Sequence, residues 1–278
     1  MNVRQLPLSR RTVTIAVTLV GMVSLAIGAH AALNMRALDA AKAVAAEQDD
    51  AAKKPSRLAL VIGNGNYPDA PAPLAQPIND ARGLTAALRG HGFDVDVVED
   101  ATHDDMHRAI GRLKQKITAD SVVMLFFGGF GVQAGRESYM IPVDAAIWKE
   151  SDVRRDGVSV ESVMAGIKEQ GARAKLVVLD ASRRNPYERR FRAFSHGLAP
   201  INPPENALIL TSATPDKVAD DSSGQYSVLM AELLAHLDAR ADAESAFNKT
   251  RVAISRASDG DQVPAVSSSL LEDVTFGG

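Results

Sequence analysis

Apolar residues along this chain fall into short unbroken runs, separated by stretches where they recur every three or four positions. Residues 58–62 (Leu-Ala-Leu-Val-Ile) are continuously apolar and are closed by Gly63, the pattern of a strand buried on both faces. Residues 122–127, 176–179 and 207–210 repeat that pattern, whereas 93–98 alternates Phe-Asp-Val-Asp-Val and so predicts a strand nearer a sheet edge. Between them, Ala81, Leu84, Ala87 and Leu88 share one helical face across 79–88, ahead of Gly90 and Gly92. Thr102, with Asp105 three positions on, is set to cap a helix reaching about residue 118. Further helices are predicted over 160–169, stopped by Gly171, and over 225–237 and 243–257, with a short extended arm at 139–143. Strand and helix alternating in this way predict an α/β fold, a mostly parallel central sheet with helices on both faces. In such sheets the working site lies beyond the carboxyl ends of the strands. Those ends are Gly63-Asn64, Phe127-Gly128-Gly129-Phe130-Gly131 and Asp180-Ala181-Ser182.

Composition narrows the chemistry. The 278 residues are 46% hydrophobic and 23% charged, enough for one large domain with a substantial core. Lys and Arg total 31 against 34 Asp and Glu, so nothing in the charge balance favours nucleic acid as a partner. Cysteine is absent, which removes disulfides, thiolate metal sites and thiol catalysis together. At the N-terminus, Arg4, Arg10 and Arg11 precede an apolar stretch over 12–29, and no further charged side chain follows until Arg36. Residues 1–32 therefore read either as a signal peptide cleaved after Ala29-His30-Ala31 or as a retained membrane anchor, since about 20 apolar residues span a bilayer. Both readings put the remainder across a membrane, and the basic flank stays on the cytoplasmic side. The expected location is a bacterial periplasm, or the inner membrane facing it. Residues 33–56 are Ala-rich and polar and read as a linker, leaving 57–278 as the folded domain.

Taken together, the strand ends resemble the caspase-like clan of peptidases, in its bacterial branch near the metacaspases. Leu58-Ala59-Leu60-Val61-Ile62-Gly63-Asn64 with Tyr67 resembles the family's opening strand, and Pro77-Ile78-Asn79-Asp80-Ala81 its first-helix motif. Residues 126–133 stand where the family carries a Ser-Gly-His-Gly-type loop, and Asp180-Ala181-Ser182-Arg183 where it carries Asp-Ala-Cys-Arg. Ala213-Thr214-Pro215, Val218-Ala219-Asp220 and Gln262-Val263-Pro264 are similar to later family segments. The resemblance implies a three-layer caspase-like sandwich and a cysteine endopeptidase ancestry. It also sets Ser182 at the nucleophile's position, Phe130 at that of the general-base histidine, and Gly128 at a serine two residues earlier. A serine hydroxyl needs a positioned base to take its proton, and a phenyl ring accepts none. The expectation is a pseudo-peptidase without a working dyad and without a cofactor.

The resemblance further implies an acidic S1-like pocket, in which Asp80 and Asp180 would hold an Arg or Lys side chain. Both carboxylates also have a plainer reading: Asp80 as a cap of its own helix, Asp180 as an acceptor of loop N–H groups or a partner of Arg183. Expected partners are a basic peptide or an active caspase-like homologue, and the membrane if the N-terminal segment stays attached. A serine-dependent hydrolase using Ser182, and a purely structural envelope protein, are the other two functional readings. His196 is the one histidine near the nucleophile loop, and it reads as a solvated loop residue; His91, His103, His107 and His236 fall on or beside helices. His103 and His107 have the i, i+4 spacing of metal ligands but lie on a surface helix, so no metal is expected. Gly63-Asn64-Gly65-Asn66 lacks the Gly-Lys-Ser/Thr ending of a phosphate loop. Arg183, Arg184, Arg189, Arg190 and Arg192 read as one solvated basic loop.

Overall fold

The computed structural model describes residues 56–70, 72–183, 197–215, 217–219 and 224–277. The N-terminal segment, nearly all of the linker, His196, Asp220 and the arginines from Arg184 to Arg192 lie outside the described residues.

A six-stranded sheet forms the middle layer, built from β1 (Arg57–Gly63), β2 (Asp94–Glu99), β3 (Val122–Gly128), β7 (Ala174–Asp180), β8 (Ala207–Thr211) and β9 (Ala265–Ser268). Their order is β2-β1-β3-β7-β8-β9, parallel except for the antiparallel β9. The alternating strand β2 is an edge, as its pattern predicts. A second sheet of three short antiparallel strands, β4 (Gly131–Ala134), β5 (Glu137–Met140) and β6 (Val158–Ser159), branches off after β3.

Successive side chains of a strand point to opposite faces, so each central strand feeds two separate cores. On one face Ala59, Val61, Met124, Phe126, Leu176 and Val178 meet helices α1 (Pro77–Gly90), α5 (Val228–His236) and α6 (Ala243–Ala257) through Leu84, Leu88, Leu233 and Phe247. On the other, Leu60, Ile62, Leu125, Phe127 and Leu179 meet α2 (His103–Lys116) and α4 (Val160–Glu169) through Met106, Leu113, Val163 and Ile167. The expected three-layer sandwich is therefore the architecture. Among the described residues, no helix is long and apolar enough to cross a membrane.

Local chemistry fixes the elements where the pattern places them. Thr102 Oγ1 accepts from Asp105 N while the Asp105 carboxylate accepts from Thr102 N, the reciprocal cap expected of α2. Helix α1 begins at Pro77, whose missing N–H costs nothing in a first turn. It approaches β1 so closely that a Cβ on Gly63 would lie 2.4 Å from the Pro77 carbonyl oxygen. Only a glycine at that strand end lets the helix N-terminus sit over the sheet. A short helix α3 (Glu150–Asp156) completes the third core, where Val153 packs with Tyr67, Phe130, Tyr139 and Ile141.

Candidate functional site

Hydrogen-bond register sets Glu99, Gly63, Gly128 and Asp180 in one row across the carboxyl end of the sheet. The loops leaving that row are stitched together. Asn64 N donates to Gly128 O (2.8 Å), Gly129 N to Asp180 O (3.2 Å), and Gly131 N to Ala181 O (2.9 Å). The buried Asn64 side chain accepts from Ala101 N (2.8 Å) and donates to Ile141 O (3.2 Å), tying two further segments to the same edge. The neighbouring amides of Gly65 and Asn66 are both taken by Asp100 Oδ1, at 2.8 and 2.9 Å. Those are the donors a phosphate would need, so the discounted phosphate loop has a physical occupant.

Phe130 is buried against Tyr67, ring centroids 4.7 Å apart in an edge contact. The Tyr67 hydroxyl accepts from Phe130 N (3.1 Å) and donates to Ile141 O (2.9 Å). Between them Gly129 has φ +158, and a Cβ there would stand 2.5 Å from the Tyr67 hydroxyl oxygen. Phe130 is thus wedged into the third core, its ring used for packing.

Ser182 follows β7 and is 1% exposed. Its backbone N–H donates to Ser212 Oγ (3.3 Å) and its carbonyl accepts from Ala219 N (2.7 Å). Gly197 closes over it, since a Cβ on that glycine would lie 3.6 Å from Ser182 Cβ. The Ser182 hydroxyl oxygen has no hydrogen-bond partner among the described residues. Of the described histidines, His91 Nε2 is 3.1 Å from Leu237 O, and His103 and His107 face each other at Nε2···Nε2 3.1 Å. His236 ends the nine-residue α5 whose capping Ser227 adjoins Asp80, about 13 Å along the helix. Among the described residues no cluster of three or more potential ligands is set to hold a metal ion, and the His103–His107 pair stands without a third.

Asp80 and Asp180 are both buried, at 0% and 2% exposure. Asp80 lies one turn into α1 and does not cap that helix, whose N-cap is Gln76. Its Oδ1 instead accepts from Ser227 N (2.9 Å), at the start of α5. Burial, and then the neighbouring Asp180 charge, push the Asp80 carboxyl up to about 7; the Ser227 hydrogen bonds and Arg183 act in the opposite direction. Asp180 pairs with Arg183: Nη1 is 3.4 Å from Oδ1 and donates to the Asp180 carbonyl at 2.5 Å. Oδ2 of each carboxylate makes no hydrogen bond among the described residues.

One expectation is corrected here. Arg183 is not part of a solvated basic loop but is 5% exposed, because its backbone N–H bonds to Ala181 O (2.9 Å) and turns the side chain back over the strand end. The structure therefore gathers Asp80, Asp180, Ser182 and Phe130 at one sheet edge. The sequence reading missed three residues that support them. Tyr67 was visible within the opening motif without its role; Ser227 was legible as a cap before an apolar helix; Ser212 carried no signal.

An α/β sandwich with its loop cluster at the parallel strands' carboxyl ends, and buried Asp80 and Asp180 beside it, fits the caspase-like class of domain. The chain belongs to the peptidase C14 caspase-domain family, whose model matches residues 56–275. Its relatives include the mucosa-associated lymphoid tissue lymphoma translocation protein 1 of Homo sapiens, 29% identical over 133 residues. That stretch is 48% of this chain and 16% of the human protein. The Mus musculus homolog matches to the same extent, again over 16% of its length.

Proposed function

We propose that this caspase-family domain is a pseudo-peptidase, which binds basic side chains at Asp80 and Asp180 and does not cut beside them. The observation that carries the reading is the Ser182 hydroxyl, 1% exposed and without a hydrogen-bond partner among the described residues. A serine nucleophile works only when a base lies within hydrogen-bond reach, directly or through one water. General-base assistance contributes about 10²–10⁴-fold to such reactions. At the position that the resemblance assigns to the base, the ring of Phe130 is locked against Tyr67. Two buried carboxylates, each with an unbonded oxygen, supply the chemistry that a guanidinium recognises. The N-terminal sequence pattern supports an exported domain, tethered to the inner membrane or released into the periplasm, where it would bind a basic peptide or an active homologue.

Arg- and Lys-directed fluorogenic peptides, offered to the wild-type protein and to Ser182→Ala, test the inactive half of this reading. No release dependent on Ser182 is expected. Turnover abolished by Ser182→Ala would overturn the reading in favour of a serine hydrolase.

A further inference from the structure

We propose that Arg183 is the resident occupant of the acidic pocket, so that a basic ligand gains Asp80 and Asp180 only by displacing this guanidinium, a regulation that rests on the basic-ligand reading above. Arg183 carries the same recognition group as the ligand, on the same chain, three residues beyond one of the two carboxylates. The turn closed by Arg183 N and Ala181 O folds it back onto the strand end. There Nη1 meets the Asp180 carbonyl at 2.5 Å, Asp180 Oδ1 at 3.4 Å and the Gly129 carbonyl at 3.4 Å. A guanidinium cannot shed its charge, so its burial at 5% exposure demands nearby anions. Asp180 is in contact, and the Arg183 charge is felt at Asp80 as well.

Both carboxylates keep unused capacity. The approach of Arg183 Nη1 to Asp180 Oδ1, at 3.4 Å, is long for a charge-assisted hydrogen bond, which ordinarily measures about 2.7–2.9 Å. Oδ2 of Asp80 and of Asp180 stay unbonded among the described residues. An incoming arginine that engaged both carboxylates by two parallel hydrogen bonds would therefore gain contacts that Arg183 does not make. Two guanidinium groups in one buried pocket would repel each other, so entry of one requires exit of the other.

Fluorescence anisotropy of a labelled tetrapeptide amide ending in arginine tests this, with the citrulline peptide as its neutral isostere. Arg183→Ala is expected to bind the arginyl peptide at least tenfold more tightly than wild type. Neither protein should hold the citrulline peptide, and adding Asp80→Asn to Arg183→Ala should abolish the gain. Equal affinity of wild type and Arg183→Ala for the arginyl peptide would overturn Arg183 as the occupant while leaving the pocket standing. Failure of every variant to prefer arginine over citrulline would overturn the pocket itself. Should Arg183→Ala not fold, Arg183→Gln takes its place, a shorter neutral side chain that retains an amide donor and removes the charge. The same comparison then decides, with a cooperative thermal transition as the check on folding.

Discussion

Asp80 holds its carboxyl group where water does not reach, between the Ser227 amide and the charges of Asp180 and Arg183. Its ordinary value of 3.8 rises to about 7 on folding, so between those limits the folded protein keeps a proton that the unfolded chain releases. The sign follows from linkage. When the folded state binds more protons, stability falls as pH rises, here from about pH 4 to about pH 7, and then levels off. At about 1.4 kcal/mol per unit, the loss amounts to a few kcal/mol at most. Asp80→Asn keeps an oxygen for Ser227 N and cannot titrate, so its melting temperature is expected to vary less between pH 5 and pH 8 than that of wild type. Melting curves at four or five pH values check this, and parallel profiles would count against Asp80 as the titrating group. The same proton bears on ligand choice, because an Asp80 still half protonated near neutrality holds a cation more weakly than one ionised at pH 8.

Elements show why some of this was legible and some was not. Strands β1, β3 and β7 contain the continuous apolar runs 58–62, 122–127 and 176–179, each ended by Gly or Asp, and helix α6 carries its own cap, so local sequence sufficed for them. The four-residue strands β4 and β5 have no such pattern, because Gly131–Ala134 is a strand only by pairing with Glu137–Met140. Helix α3 buries little beyond Asp152 and Val153, too few positions for a period to show. At the site, strand ends marked where to look, and Asp80 and Asp180 were both named from sequence. The pairing of Arg183 with Asp180 was one of the alternatives the sequence offered, but the burial of Arg183 was not legible, because it depends on a backbone turn and on the Gly129 carbonyl, more than fifty positions away. Gly129 itself offers an element-level test of how tightly the loop is set. Gly129→Ala drives a methyl against the Tyr67 hydroxyl and the Phe127 ring, and a loss of roughly 2–3 kcal/mol is expected in urea unfolding. A loss below about 0.5 kcal/mol would mean that the loop yields readily.

At the scale of the whole molecule, the central sheet separates two interiors. Leu84 belongs to the one beneath α1, α5 and α6, and Met106 to the one beneath α2 and α4, both at 0% exposure. Leu84→Ala and Met106→Ala should each cost about 2–5 kcal/mol. Because they share no neighbours, the double variant should equal the sum within about 0.5 kcal/mol, as denaturant titration of the four proteins would reveal. A larger departure would mean that strain passes through the sheet. The sheet thus works as a bulkhead: the chain can drift in sequence on one side without retuning the other, while its carboxyl rim, where loops from neighbouring strands bond to one another, has less freedom.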